Sequence, residues 1–438
     1  MFFYISALTI YLSFLFTYNG TMIIPSVKLS GKITIPSSKS QTIRALLISV
    51  FSRGVSYIKH PLISDDTESC INAVKAMGAD VAIDDNGDIK VDATYAFCDM
   101  DELNIDAGNS GTTEYLALPM LSSLGIQVNI DGDDMLRKRP LKPLLDALES
   151  LGAETESTEG FPPASIRGPL DGGECTIECK TSQYLSGLLL GAPLAIGDSH
   201  IKCSVLFEKP YVKMTLKWLD DQGIKYKIND DLEEAWVKGG QSYKPLDTYI
   251  EGDFSSASFF FVAAAIHGTK VTVEGLDKNS TQGDKEILNI LEKMGCSIEW
   301  NGMAVTVKGP DKLKGGVFDL NAIPDTLPAL SVAAAFAEGD TILENVEQAR
   351  IKETDRIKVM RENLNDLGVE AEERRDALIV HGKGSVKGGK AKGYGDHRVI
   401  MALAILGTKT EEETEIDDVS AASVTFPTFF DLLEKLEK

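Results

Sequence analysis

A chain of 438 residues is long enough for two or three domains at the usual ~100–200 residues each, and its 43% hydrophobic content suffices for sizeable cores. A formal charge of −22 excludes bulk binding of nucleic acid, because no basic excess exists to displace counterions from a phosphate backbone. An acidic chain can still hold an anion where its few cations converge in a cleft.

Residues 1–16 are strongly apolar, yet the first cation is Lys28, so the basic opening of a signal peptide is missing and the stretch is short for a membrane span. Met22 directly precedes a strand-like run over residues 23–35, and residues 1–21 read as a dispensable leader or a mis-called start. From there a unit of roughly seventy residues recurs six times. Each unit carries an amphipathic helix pattern, and five of these end at Gly78, Gly152, Gly223, Gly295 and Gly368, where a left-handed C-cap is predicted. The sixth, FFDLLEKLEK, closes the chain. A second helix keeps the same beat, ending near Gly54, Gly125, Gly197, Gly268, Gly339 and Gly407. It is apolar almost all round and so predicted to be buried on most sides. Strand-like runs such as IQVNIDG and TKVTVEG follow it. The pattern predicts an α/β protein with three units per domain.

The buried helices begin at PSSKSQTIR, AGNSGTT, KTSQY, GDFSSAS, IPDTLPA and YGDHRV, all rich in N-capping residues. Helix N-termini offer free N–H groups and about half a positive charge, so convergence of these six would make a site for phosphate-rich anions. Capping alone explains Ser255 and Ser256 equally well. It does not explain Lys39 and Arg44, because cations at a helix start oppose the dipole unless an anion sits between them. Further cations stand near other loops: Arg137, Lys138 and Arg139, then Arg350, Lys352 and Arg356, then Arg398. Asp325, Glu353, Asp355 and Asp396 accompany them as candidate proton-transfer groups or structural ion-pair partners. No P-loop, G-x-G-x-x-G, H-E-x-x-H or G-x-S-x-G is present, which argues against ATP or dinucleotide chemistry. Six scattered cysteines, with Cys175 and Cys179 the one close pair, read as free thiols rather than a zinc site.

The stretches PSSKSQTIRALL, GNSGTT, RKRPLKPLLDALESLGA, SQYLSGLLLGAPLA, KPYVKMTLKWL, EGDFSSASFF, STQGDKEILNILEKMG, RIKETDRI and GDHRVIMALA, in that order, resemble the 5-enolpyruvylshikimate-3-phosphate (EPSP) synthase family over nearly all of residues 22–438. The resemblance implies a two-domain inside-out α/β barrel of six βαβαββ repeats, three per domain. One domain would comprise residues 22–37 plus 254–438 and the other residues 38–253. It implies transfer of the enolpyruvyl group of phosphoenolpyruvate to the 5-hydroxyl of shikimate-3-phosphate, with no metal or organic cofactor. Lys39, Ser40, Arg44, Thr181, Ser182, Gln183, Tyr211, Asp325, Gln348 and Lys352 would contact shikimate-3-phosphate. Lys39, Asn109, Gly111, Arg139, Gln183, Arg356 and Arg398 would form the phosphoenolpyruvate pocket. Asp325, Glu353 and Lys39 would move protons. A cytoplasmic monomer without nucleic-acid or membrane partners is expected.

The sequence departs from the family pattern at Ser37 (usually Gly), Tyr115 (often Arg), Glu208 (usually Ser) and Val424 (Lys in one branch). The last three remove positive or add negative charge, which bears on phosphoenolpyruvate affinity rather than on reaction class. The UDP-N-acetylglucosamine enolpyruvyl transferases share the implied fold but carry Lys-Asn in the first loop and a reactive Cys in the loop matching residues 131–140. Here Ser40 follows Lys39 and that loop has no Cys. An inactive anion-binding scaffold would lack Asp325, Glu353 or Lys39, and all three are present. Finally, cations on both sides of an interdomain cleft predict an open form that closes around a phosphorylated ligand, with hinges near residues 36–38 and 252–254.

Overall fold

The computed structural model describes residues 16–18 and 21–437. Most of the expected leader lies outside the described residues; within it, Phe16–Tyr18 pair antiparallel with Thr21–Ile24. The strand-like run over residues 23–35 is two strands, Thr21–Ile24 and Gly31–Thr34, parted after Ile24 by Pro25, which has no N–H to continue a ladder.

Twelve α-helices follow among the described residues, alternating between the two kinds expected. They are α1 Lys39–Phe51, α2 Asp65–Ala76, α3 Gly111–Leu121, α4 Lys142–Ser150, α5 Ser182–Gly191, α6 Lys209–Gln222, α7 Phe254–His267, α8 Ile287–Lys293, α9 Leu327–Ala335, α10 Arg356–Asp366, α11 His397–Gly407 and α12 Phe429–Glu434. The odd-numbered helices are buried along nearly their whole length, whereas the even-numbered ones bury one stripe. The glycines expected to terminate the amphipathic helices all have positive φ, from 73° at Gly223 to 109° at Gly295. Gly339 departs from its expected place: α9 stops at Ala335 and Gly339 lies inside the strand Ala337–Glu344.

The strands form six small sheets, each mixing parallel and antiparallel ladders. Three ladders join segments far apart in the chain. Thr21–Ile24 pairs with Thr414–Ile416, Gly31–Thr34 lies parallel to Lys270–Glu274, and Asp247–Tyr249 lies parallel to Val55–Lys59. Buried apolar side chains accordingly fall into two cores, one from residues 22–35 and 254–436 and one from residues 43–250. The chain passes between them twice, side by side. Ser37 bridges to Gly252, Ser38 N–H donates to the Glu251 carbonyl at 2.8 Å, and Asp253 N–H donates to the Pro36 carbonyl at 2.9 Å. Helices α3 and α5 touch backbone to backbone. A Cβ at Gly187 would stand 2.1 Å from the Tyr115 carbonyl oxygen, and one at Gly191 would stand 2.4 Å from that of Pro119. Only glycine permits that approach.

Candidate active site

The starts of all six buried helices meet at one cleft between the two cores. Its lining includes Lys39 and Ser40 from α1, Gly111 and Thr112 from α3, Ser182 and Gln183 from α5, and Ser255 from α7. Asp325, from the 3₁₀ turn leading into α9, and Arg398 from α11 complete the ring. Most of these ends are capped by their own side chains: Ser110, Thr181, Asp253 and Asp396 accept from N–H groups of the first turn. Helix α1 has no such side-chain cap and opens directly beside Lys39. Its free N–H groups add to the positive potential there.

The wall built from residues 38–253 is lightly paired. Lys39 Nζ contacts Asp66 Oδ2 at 2.7 Å. Arg44 is buried, and its guanidinium donates to the Thr215 hydroxyl at 3.0 Å, the Ser40 carbonyl at 2.9 Å and the Tyr211 carbonyl at 3.5 Å. Burial with no carboxylate beside it pushes Arg44 down to about 10. Arg139 Nη2 donates to Asn109 Oδ1 at 3.0 Å, and a Cβ at Gly111 would lie 2.6 Å from Arg139 Nη1, so glycine there leaves the guanidinium its room. The Gln183 amide reaches the Thr112 hydroxyl at 3.4 Å, leaving its buried oxygen without a hydrogen-bond partner.

The opposite wall is a dense ion-pair network. Buried Arg356 contacts Asp396 at 2.8 Å, Asp325 at 2.8 Å and Glu353 at 2.5 Å, and Arg398 contacts Asp325 at 3.1 Å. Burial alone would raise the Asp325 carboxyl, but facing Arg398, Lys352 and Arg356 it lies well below the usual carboxylate range. Glu353 is likewise held low against burial, by Arg356 and Arg139.

Contacts across the boundary include two ion pairs and a hydrogen bond to a carboxylate. Arg139 meets Glu353 at 3.2 Å, Lys352 pairs with Glu208, and the Tyr211 hydroxyl donates to Asp284 at 2.9 Å. The expectation of like charges holding the cleft open is corrected on this point, because it weighed the cations of each half without the carboxylates opposite them.

Fourteen of the sixteen expected site residues therefore stand at or around the cleft, counting Asn109 through its bond to Arg139 and Thr181 through the capping of α5. Two are placed differently. Arg356 commits its donors to three carboxylates behind the lining, and Gln348 lies in an adjoining pocket with Tyr115, its amide donating to the Asn321 carbonyl at 2.9 Å. The sequence reading missed Asp66, Gln282 and His397, which line the cleft, and Asp284, which is bonded to the lining residues Tyr211 and Ser255. Asp284 is pushed up to about 7 by burial and by Asp325, and it accepts from Tyr211 and Ser255. Its signal was present in STQGDKE, a polar run before α8, but nothing local marks such a residue as a partner of the cleft lining.

Six convergent helix starts and a cation–carboxylate ring between the two halves of an α/β protein make a site suited to small polyanions. Residues 23–433 match the family model for EPSP synthase (3-phosphoshikimate 1-carboxyvinyltransferase). The chain is 46% identical to the 3-phosphoshikimate 1-carboxyvinyltransferase of Acetivibrio thermocellus, over 93% of this chain and 96% of that protein. It is 37% identical to that of Methanocaldococcus jannaschii, with 93% and 96% covered. Its fold matches the solved EPSP synthase of Acinetobacter baumannii with a TM-score of 0.78 and 28% identity, covering 95% of this chain and 98% of that one. The chain belongs to the EPSP synthase family and is a transferase. No helix among the described residues is long and apolar enough to cross a membrane.

Proposed function

We propose that this cleft transfers the enolpyruvyl group of phosphoenolpyruvate to the 5-hydroxyl of shikimate-3-phosphate, releasing phosphate. The observation that carries the reading is the meeting of all six buried helix starts around Lys39, Arg139, Lys352 and Arg398, with Asp325 and Glu353 among them. Protonation of the phosphoenolpyruvate methylene carbon develops positive charge at C2, the 5-hydroxyl oxygen attacks there, and the tetrahedral intermediate expels phosphate by C–O cleavage. Asp325 accepts the hydroxyl proton. Glu353 or Lys39 gives and recovers the methyl proton. Lys39, Arg139 and Arg398 hold phosphate and carboxylate oxygens, where charge shifts during reaction.

The low affinity of Asp325 and Glu353 for protons fits this scheme only when ligands are bound. Substrate anions pair with Arg398, Lys352 and Arg139, so these cations act less on the two carboxylates, and their basicity rises toward the working range. Ser182 and Gln183, whose helix Thr181 caps, orient shikimate-3-phosphate together with Arg44 from α1, with Tyr211 against the ring and Gln348 supporting from the adjoining pocket. Residues 22–37 with 254–438, and residues 38–253, are proposed as the domains, which the two cores and paired crossings support. A cytoplasmic location suits the six free thiols, five of them buried, and a monomer is proposed with it. A coupled assay of phosphate release decides the reading. Release that requires both shikimate-3-phosphate and phosphoenolpyruvate is expected, whereas release with UDP-N-acetylglucosamine in place of the first would overturn it.

A further inference from the structure

The start of α5 is an anion seat already filled by the protein itself. Glu208 is buried, and its Oε2 accepts from Ser182 N–H at 3.2 Å and Ser182 Oγ at 2.8 Å. Its other oxygen pairs with the Lys352 ammonium from the opposite core. A helix N–H, a hydroxyl and an ammonium around one point are what a phosphate monoester would seek. Glu208 is held there at a backbone cost: its φ is 56° and its ψ 39°, a left-handed conformation that side chains with a Cβ avoid. A residue kept in a disfavoured conformation with its charge turned into a cleft points to a role in that cleft.

We propose that Glu208 is a resident competitor for the phosphate group of the hydroxylated substrate, and that it sets how strongly the site prefers a phosphorylated ligand over its unphosphorylated counterpart. This rests on the reading given under Proposed function. The Glu208 carboxylate and a phosphate cannot share Ser182 and Lys352, since two anions at that range repel and the donors are too few. A phosphorylated ligand must therefore turn Glu208 out of its seat, and part of the attraction of Lys352 and α5 is spent on that exchange. An unphosphorylated ligand leaves Glu208 in place and loses nothing.

The test measures dissociation constants of shikimate-3-phosphate and of shikimate by calorimetry, for the full chain and for Glu208→Ser and Glu208→Gln. The glutamine variant keeps the size of the side chain and removes only its charge, so it guards against a misfolded serine variant. Both substitutions are expected to raise the preference for shikimate-3-phosphate over shikimate at least tenfold, chiefly by tightening the phosphorylated ligand. A preference that is unchanged or lower in both variants would overturn the proposal, because Glu208 would then be helping to hold the ligand rather than competing with it. A wild-type chain that releases no phosphate with both substrates would instead count against the reaction proposed above, so the two failures are separable.

Discussion

Two arginines, Arg44 lining the cleft and Arg356 behind its lining, are equally buried, at 1% exposure each, and have opposite surroundings. Arg356, in the wall from residues 254–438, is wrapped by Asp325, Glu353 and Asp396, which outweigh the effect of burial and raise its affinity for protons. Arg44, in the wall from residues 38–253, meets only neutral oxygens and is lowered by burial. A buried cation encircled by carboxylates is a structural clasp. One left without them carries a desolvation cost that an arriving anion can offset. One wall of the cleft thus balances its buried arginine with its own carboxylates, and the other holds in Arg44 a buried cation that no carboxylate balances.

The largest effect is expected from breaking the clasp. Arg356→Met should strand three carboxylates, lowering unfolding free energy by about 3–5 kcal/mol and abolishing turnover; denaturant melts read the first quantity directly. A loss below about 1 kcal/mol would show that the carboxylates find other partners. Next come the groups proposed to move protons or face both ligands. Asp325→Asn and Lys39→Ala should each reduce kcat by about 10²-fold or more, with ligand affinity falling less for the first than for the second. If Asp325→Asn changes only KM, the residue positions substrate and moves no proton.

A third buried charge extends the comparison to an acid. Glu114 in α3 is fully buried, neither oxygen has a hydrogen-bond partner, and burial pushes it up to about 8 despite Arg139. Its folded value is raised, so its stabilising contribution is complete below the unfolded value and is lost as pH rises from about 4.5 through about 8. Glu114→Gln should therefore match the wild type below about pH 4.5 and exceed it in stability at pH 8, by on the order of 4 kcal/mol. Parallel stability profiles over that range would mean that Glu114 is ionised and paired.

The repeat that organises the fold was legible because a helix C-cap and a helix N-cap each demand particular residues at a fixed place, so six helix pairs left a period in the sequence. Lys39, Arg44 and Arg139 were legible for the same reason, being cations beside loops that start buried helices. Asp66 and Asp284 were not. Each is an ordinary acidic residue at the start of an amphipathic helix or turn, where the helix dipole alone favours an acid. Only packing of neighbouring units turns them toward Lys39 and Tyr211. The carboxylate partners of Arg356 were seen individually as candidate acids. Their gathering around one guanidinium requires the turns at residues 324–326, 353–356 and 396 to meet, which local pattern does not encode.

The contrast between the two arginines is tested most directly by the ligand-induced rise in melting temperature of wild type and Arg44→Met. Replacing an uncompensated buried charge by an apolar side chain of similar length should leave the unliganded midpoint unchanged or higher. The rise produced by saturating shikimate-3-phosphate should then shrink or vanish, because stabilisation by mass action tracks affinity. A variant that melts several degrees lower without ligand yet keeps the full ligand-induced rise would contradict the account, placing Arg44 with Arg356 as part of the clasp.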